Sequence, residues 1–246
     1  MRRRASFLRS TFTTGLAVLL AGCGPLLPGR PGPLPTSPRP EAPLVGGLVD
    51  RPIDGGTRAA VLRESADLSQ CVAELTAARV HFSPKPDRFD SQSCHQIQAG
   101  LLGADMGTVA RMSPGQPEMT CRLALAVSVW RRQSLEPAAR EILGSDVVQI
   151  DHFGAYACRN VNNGVGSTRI SAHAQAAALD VAGVRLRDGR RITLAGDWQG
   201  DDAEARFLRR IRDDACLIFG TVLSPDYNAV HQDHLHLEAT DTRFCR

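Results

Sequence analysis

Six cysteines spread from position 71 to position 245 constrain this chain more than any other feature. They stand at 71, 94, 121, 158, 216 and 245, and a seventh, Cys23, lies apart from them. An even set in an exported protein reads as three disulfides, which restrict the unfolded chain and tie distant segments into one body. A cysteine-based zinc site is the alternative, and the sequence contains no C-x-x-C pair to support it. Pairing by nearness in the chain gives 71–94, 121–158 and 216–245 as the expected set.

The N-terminus supports export. Met1 to Ser10 carries Arg2, Arg3, Arg4 and Arg9 and no acid, and an apolar run follows from Thr11 to Gly22. This is the charged and apolar pattern of a secretory signal, shorter than the ~20 apolar residues that span a membrane. Leu20-Ala21-Gly22-Cys23 has the form of a bacterial lipobox, which places cleavage after Gly22 and lipid on Cys23. Gly24 stands where retention at an inner membrane usually calls for Asp. The expected address is the cell envelope, on the periplasmic face of an outer membrane where one exists. Loss of residues 1–22 removes four arginines and no acid, taking the net charge from +3 to −1. The pI of 8.6 therefore carries no implication of a nucleic-acid partner.

From Cys23 to Gly56 the chain is dominated by Pro and Gly without periodicity, the composition of an extended tether. Thirty such residues reach on the order of 90 Å in polyproline conformation. Residues 57–246 then form one α+β domain. Helices are expected over Asp67–Val80, Glu118–Arg132, Glu136–Leu143 and Asp201–Cys216, the last with Phe207, Ile211 and Ala215 on its apolar face. Phe82–Asp90 reads as a loop. Strands are expected at Val147–Ile150, Ile218–Leu223 and Leu235–Leu237, with a hairpin of Leu179–Val184 and Arg191–Leu194 around Asp188-Gly189. Trp130 and Trp198 read as packing residues.

The chemistry is concentrated in His231-Gln232-Asp233-His234-Leu235-His236-Leu237-Glu238. Alternation puts His234, His236 and Glu238 on one strand face and the leucines on the other. Two imidazoles with a carboxylate beside them can bind a metal and move a proton. Glu238 reads as a solvated strand end and His231 as a supporting loop histidine, while His81, His95 and His152 lie outside any motif. Ser171-Ala172-His173 and Asp180 form the other half. Seven residues separate His173 from Asp180, ~10 Å on a continuous helix, so a shared metal requires the segment to double back. The alanines between them permit close backbone approach.

Ser-x-His, Asp seven residues on, then a distant His-x-His resembles the zinc D-alanyl-D-alanine peptidases and related wall endopeptidases. Those enzymes share a metal site with lysostaphin and the hedgehog signalling domain. The longer run from Cys71 to Glu238 resembles the bacterial extensin-like C-terminal domain, through Tyr156-Ala157-Cys158-Arg159, Ser171-x-His173, Ala178-Leu179-Asp180, Phe207-Leu208-Arg209 and Asp226-x-Asn228-x-x-His231-x-Asp233-His234-x-His236. The resemblance implies a small antiparallel sheet with flanking helices in a hedgehog and DD-peptidase type of fold. It makes His173, Asp180 and His236 the ligands of Zn²⁺, with a fourth position for water. Asp233 and His234 divide the proton and oxyanion work, in either order. Arg159, or Arg169 in its place, faces a substrate carboxylate or carbonyl, and Ser171 contacts substrate or orients His173. Ala176 stands where the peptidases often have Gly.

The implied activity is hydrolysis of peptide bonds in peptidoglycan stem peptides, as carboxypeptidase or endopeptidase. A non-catalytic wall-binding module that retains the metal site is the alternative, because ligands and fold do not guarantee turnover.

Overall fold

The computed structural model describes residues 47–164 and 166–246. The leader, Cys23 and most of the expected tether lie outside them. Leu48 and Val49 are buried in the core, and the Leu48 N–H donates to the Glu74 carboxylate at 3.1 Å. Leu48 and Val49, inside the stretch read as tether, thus pack with the body.

Two helices open the body, α1 (Thr57–Glu64) and α2 (Leu68–Ala77). Asp67 caps α2 by accepting from the Gln70 N–H at 2.9 Å. Six short strands follow: β1 (Val80–Pro84), β2 (Arg88–Phe89), β3 (His95–Gln96), β4 (Ala99–Asp105), β5 (Arg111–Ser113) and β6 (Glu118–Thr120). The expected loop at 82–90 thus contributes to β1 and β2. Phe82 is buried, and β1 pairs antiparallel with β4 in the sheet β1-β4-β6. The helix expected from Glu118 begins only at α3 (Cys121–Trp130), because Thr120 accepts from the Leu123 N–H and ends β6. All of α3 except Arg122 is buried, as an apolar sequence without a polar face requires. It continues through wider π-helical turns at Arg131–Leu135 and Ala139–Leu143, on either side of α4 (Glu136–Ala138).

The remaining elements are β7 (Val147–Gly154), β8 (Ala178–Leu186), β9 (Arg191–Thr193), α5 (Leu194–Asp197), α6 (Ala203–Ile218), β10 (Thr221–Leu223), β11 (Leu235–Glu238) and β12 (Phe244–Cys245). Their sheet runs β12-β10-β11-β8-β7-β5, with β9 also paired to β8. The β5–β7 and β10–β12 pairs are parallel and the rest antiparallel. The β8–β9 hairpin turns where expected, with Gly189 at φ +93, a conformation that favours glycine. Helix α6 runs on to Ile218, so the strand expected from that residue starts at Thr221 instead. Asp202 caps α6, and Phe207, Ile211 and Ala215 are buried. The Trp130 indole N–H donates to the Ile211 carbonyl at 2.9 Å, tying α3 to α6. Trp198 is likewise buried, its indole N–H on Asp226 at 2.8 Å. Among the described residues no helix is long and apolar enough to cross a membrane.

All six body cysteines pair, but two of the three expected bonds are different. Cys71 joins Cys121, Cys94 joins Cys158, and only Cys216–Cys245 is as expected. Nearness in the chain fails here because α2 packs on α3, while β3 reaches the segment after β7. Cys216 meets Cys245 because β12 runs beside β10, the strand that follows α6.

Candidate metal and catalytic site

The middle of the large sheet, where β8 pairs with β11, builds a pocket from three stretches. Asp180 is the third residue of β8, and β11 pairs with β8 in the register that sets His236 directly opposite it. His173 lies in a short 3₁₀ turn, Ala172–Gln175, immediately before β8. The chain doubles back at Ala176, whose φ of +51 is the left-handed turn that reverses its direction. Ala174, Ala176 and Ala178 are fully buried, so the small side chains between His173 and Asp180 do let the two meet.

The atoms converge closely. The His173 Nε2 is 3.0 Å from Asp180 Oδ2 and 3.2 Å from His236 Nδ1, and His236 Nδ1 is 2.8 Å from Asp180 Oδ1. Each histidine is fixed from behind. His173 Nδ1–H donates to the Ala155 carbonyl at 3.1 Å, and His236 Nε2–H donates to Glu238 Oε1 at 2.9 Å. A carbonyl and a carboxylate can only accept, so the ring protons sit on the outward nitrogens. The inward nitrogens and Asp180 then present lone pairs to one another, an arrangement that calls for a cation or a proton among them. A proton on His236 is one such charge. Burial opposes that charge, but the bonds to Asp180 and Glu238 outweigh it and raise the imidazole to about 9. Burial also opposes the charge on Asp180, yet bonds from His173 and His236 hold its carboxyl far below the usual carboxylate range.

The same three residues fit a divalent metal. Tetrahedral bonds of ~2.0–2.1 Å give ligand atoms roughly 3.3 Å apart, close to the separations here. Among the described residues His173, Asp180 and His236 are the group of potential ligands close enough to hold one ion. Two imidazoles and a carboxylate, with outward nitrogens tied to acceptors, are the donor set and support that zinc sites use.

Around the triad lies a cavity of about 870 Å³, lined also by Arg159, Ser171, Asp233 and His234. His234 Nδ1–H donates to Asp233 Oδ1 at 2.8 Å, which leaves its Nε2 facing the triad, 3.6 Å from Asp180 Oδ1. Phe153 packs edge-on against the His234 ring. The Arg159 guanidinium reaches within 3.7 Å of Asp180 Oδ2, and Arg169 lines the cavity as well. The Ser171 hydroxyl accepts from the His173 N–H at 3.3 Å, capping the turn that carries His173. His231 donates from Nδ1 to Asn228 at 2.7 Å, with its ring 5.1 Å from that of His234. Burial pushes His231 down to about 4, and the nearby His236 and His234 add to this. Among the three histidines outside the motifs, His152 is buried against the Pro114 carbonyl.

Two partners were not expected from sequence. Glu238 holds His236 in place instead of ending the strand in solvent, and the Ala155 carbonyl orients His173. Strand alternation puts Glu238 on the face of His236, which was the available signal. Its shelter comes from Thr221, opposite it on β10, and from the chain at 240–242. No periodicity reports that contact. Cys23 lies outside the described residues.

No curated protein and no solved structure matches the chain significantly. The family described as extensin-like protein C-terminus matches residues 69–246, a stretch that includes every member of the site. The chain therefore belongs to the extensin-like protein C-terminus family.

Proposed function

We propose that this chain is a zinc-dependent hydrolase of peptide bonds in peptidoglycan stem peptides, a carboxypeptidase or endopeptidase of the DD-peptidase type, carried at the envelope by lipid on Cys23. The observation that carries the proposal is the convergence of His173 Nε2, Asp180 and His236 Nδ1 beside a histidine–carboxylate pair in an open cavity. His173, Asp180 and His236 would hold the ion. Bound there, Zn²⁺ supplies a Lewis acid and lowers the pKa of its water to ~7.

The chain's own residues do the rest. His234 Nε2 carries a lone pair, because its proton is on Nδ1 and committed to Asp233. It can take a proton from water beside the triad and return it to the leaving amine. Asp233 fixes the tautomer of His234 and stabilises the imidazolium that forms, as the carboxylate of a catalytic triad does. This favours His234 as base and Asp233 as its positioning residue. Arg159 offsets the charge of Asp180 and keeps free N–H groups for a substrate carbonyl or carboxylate. Ser171 acts through His173, whose turn it caps.

The test is a digest of purified sacculi with zinc-loaded protein, read by mass spectrometry. Release of muropeptide fragments is expected, with His234→Ala slower by ~10²–10⁴-fold. Binding to sacculi without any product across pH 5 to 9 would refute hydrolysis and leave a wall-binding module that keeps its metal site.

A further inference from the structure

One wall of the cavity has hydrogen-bond polarity of its own. Thr221, Glu238, Thr240 and Thr242 line it together. Thr240 Oγ1 donates to Glu238 Oε2 at 3.4 Å, Thr242 Oγ1 lies 2.7 Å from Thr240 Oγ1, and Thr221 Oγ1 lies 2.8 Å from Thr242 Oγ1. Glu238 Oε1 is taken by the His236 ring N–H. As a carboxylate Glu238 has no proton to give and can only accept. Thr240 donates to Glu238, Thr221 also bonds that carboxylate, and the Thr242 hydroxyl lies between the two, so three hydroxyl protons serve four contacts. Every hydroxyl proton is then used inside the shelf, and only lone pairs face the cavity. The close approach is built into the backbone. A Cβ on Gly220 would meet the Thr240 carbonyl oxygen at 2.2 Å, so the 240–242 segment packs against β10 only over a glycine.

A shelf that can only accept selects a donor. We propose that Thr221, Glu238, Thr240 and Thr242 form a subsite for a primary ammonium group, carried on a side chain of the peptide next to the bond that is cut. An ammonium has three N–H groups and no lone pair, and one positive charge against the Glu238 carboxylate. Calling the ligand a substrate rests on the hydrolase proposal, but binding of an ammonium does not. With Arg159 and Arg169 also lining the cavity, the shelf gives a bound peptide a polarity, its amine toward the threonines and its acid toward the arginines.

The experiment is calorimetric titration of the purified protein at pH 7 with acetyl-alanyl-glutamyl-lysyl-alanine and with the same peptide carrying norleucine for lysine. The lysine peptide should bind roughly tenfold tighter, the scale of a hydrogen bond to a charged group. Thr242→Val, an exposed position, breaks the hydroxyl chain without changing charge and should bring the two affinities to within about twofold. Thr242→Ser should restore the preference. Equal affinities in the wild type, or no binding of either peptide at millimolar concentration, overturns the subsite. So does a preference that Thr242→Val leaves intact, since charge alone would then explain it. Turnover of sacculi is measured separately. Selective binding without cleavage would defeat the hydrolase proposal and leave the subsite standing, and cleavage without selectivity would do the reverse.

Discussion

At the scale of single residues, the site depends on what stands behind each histidine. Glu238→Gln exchanges a charged acceptor for a neutral amide at His236, and loss of such support typically costs 10–100-fold in metal affinity. A chelator competition titration should show a drop of that size while the fold, read by circular dichroism, is unchanged. Ala176 makes the reversal between His173 and Asp180 at φ +51 with its methyl fully buried. Ala176→Val places a branched side chain in a left-handed, closely packed position and should destabilise by about 2–3 kcal/mol in urea unfolding. Ala176→Gly should be tolerated. The alternation of His234 to Glu238 and the need for a reversal after His173 were legible from local sequence. The Ala155 carbonyl behind His173 and the shelter of Glu238 were not, because Ala155, Thr221 and Thr240 arrive from other strands and a loop.

At the scale of elements, the disulfides divide their work. Cys94–Cys158 ties the β2–β3 hairpin to the segment that carries Ala155, Tyr156 and Arg159. That segment is also held by Tyr156 on Asp90 and by the Ala157 N–H on the His173 carbonyl at 3.1 Å. Replacing both Cys94 and Cys158 by Ser should therefore weaken metal binding as well as stability. Replacing Cys71 and Cys121, which lie on α2 and α3 away from the cavity, should cost about 2–5 kcal/mol in stability and leave metal affinity nearly unchanged. Chelator competition on both variants separates the two effects, and equal losses of affinity would contradict this assignment. Helix α6, the β8–β9 hairpin and β11 could be read from periodicity and turn residues. Two of the three cysteine pairings could not, since packing of α2 on α3 and of β3 on the segment after β7 is a property of the folded body. The same holds for Leu48 and Val49, apolar residues among prolines and glycines that find the core only in three dimensions.

At the scale of the whole molecule, the histidine cluster sets how stability varies with pH. His231 is held at about 4 in the fold against 6.5 unfolded, so the unfolded chain takes up the proton first. The stability that neutral His231 contributes is present above pH 6.5 and is lost as pH falls toward 4. His236 is held at about 9, with the opposite sign, so its contribution is present below pH 6.5 and is lost as pH rises through 9. The chelator-treated protein should therefore melt highest near pH 6.5 and lower at both 4 and 9, and zinc should remove the alkaline fall by standing in for the proton. A melting temperature that is flat from pH 6.5 to 9 without metal would contradict the protonated cluster.

If His173, Asp180 and His236 hold a metal ion, metal stoichiometry shows it. Protein dialysed against zinc and then against buffer should retain about one zinc per chain by plasma mass spectrometry, the content of a single mononuclear site. His236→Ala, folded by circular dichroism, should retain almost none. Wild-type protein that keeps no zinc, or a His236→Ala variant that keeps as much as the wild type, would mean that these three residues are not a metal site.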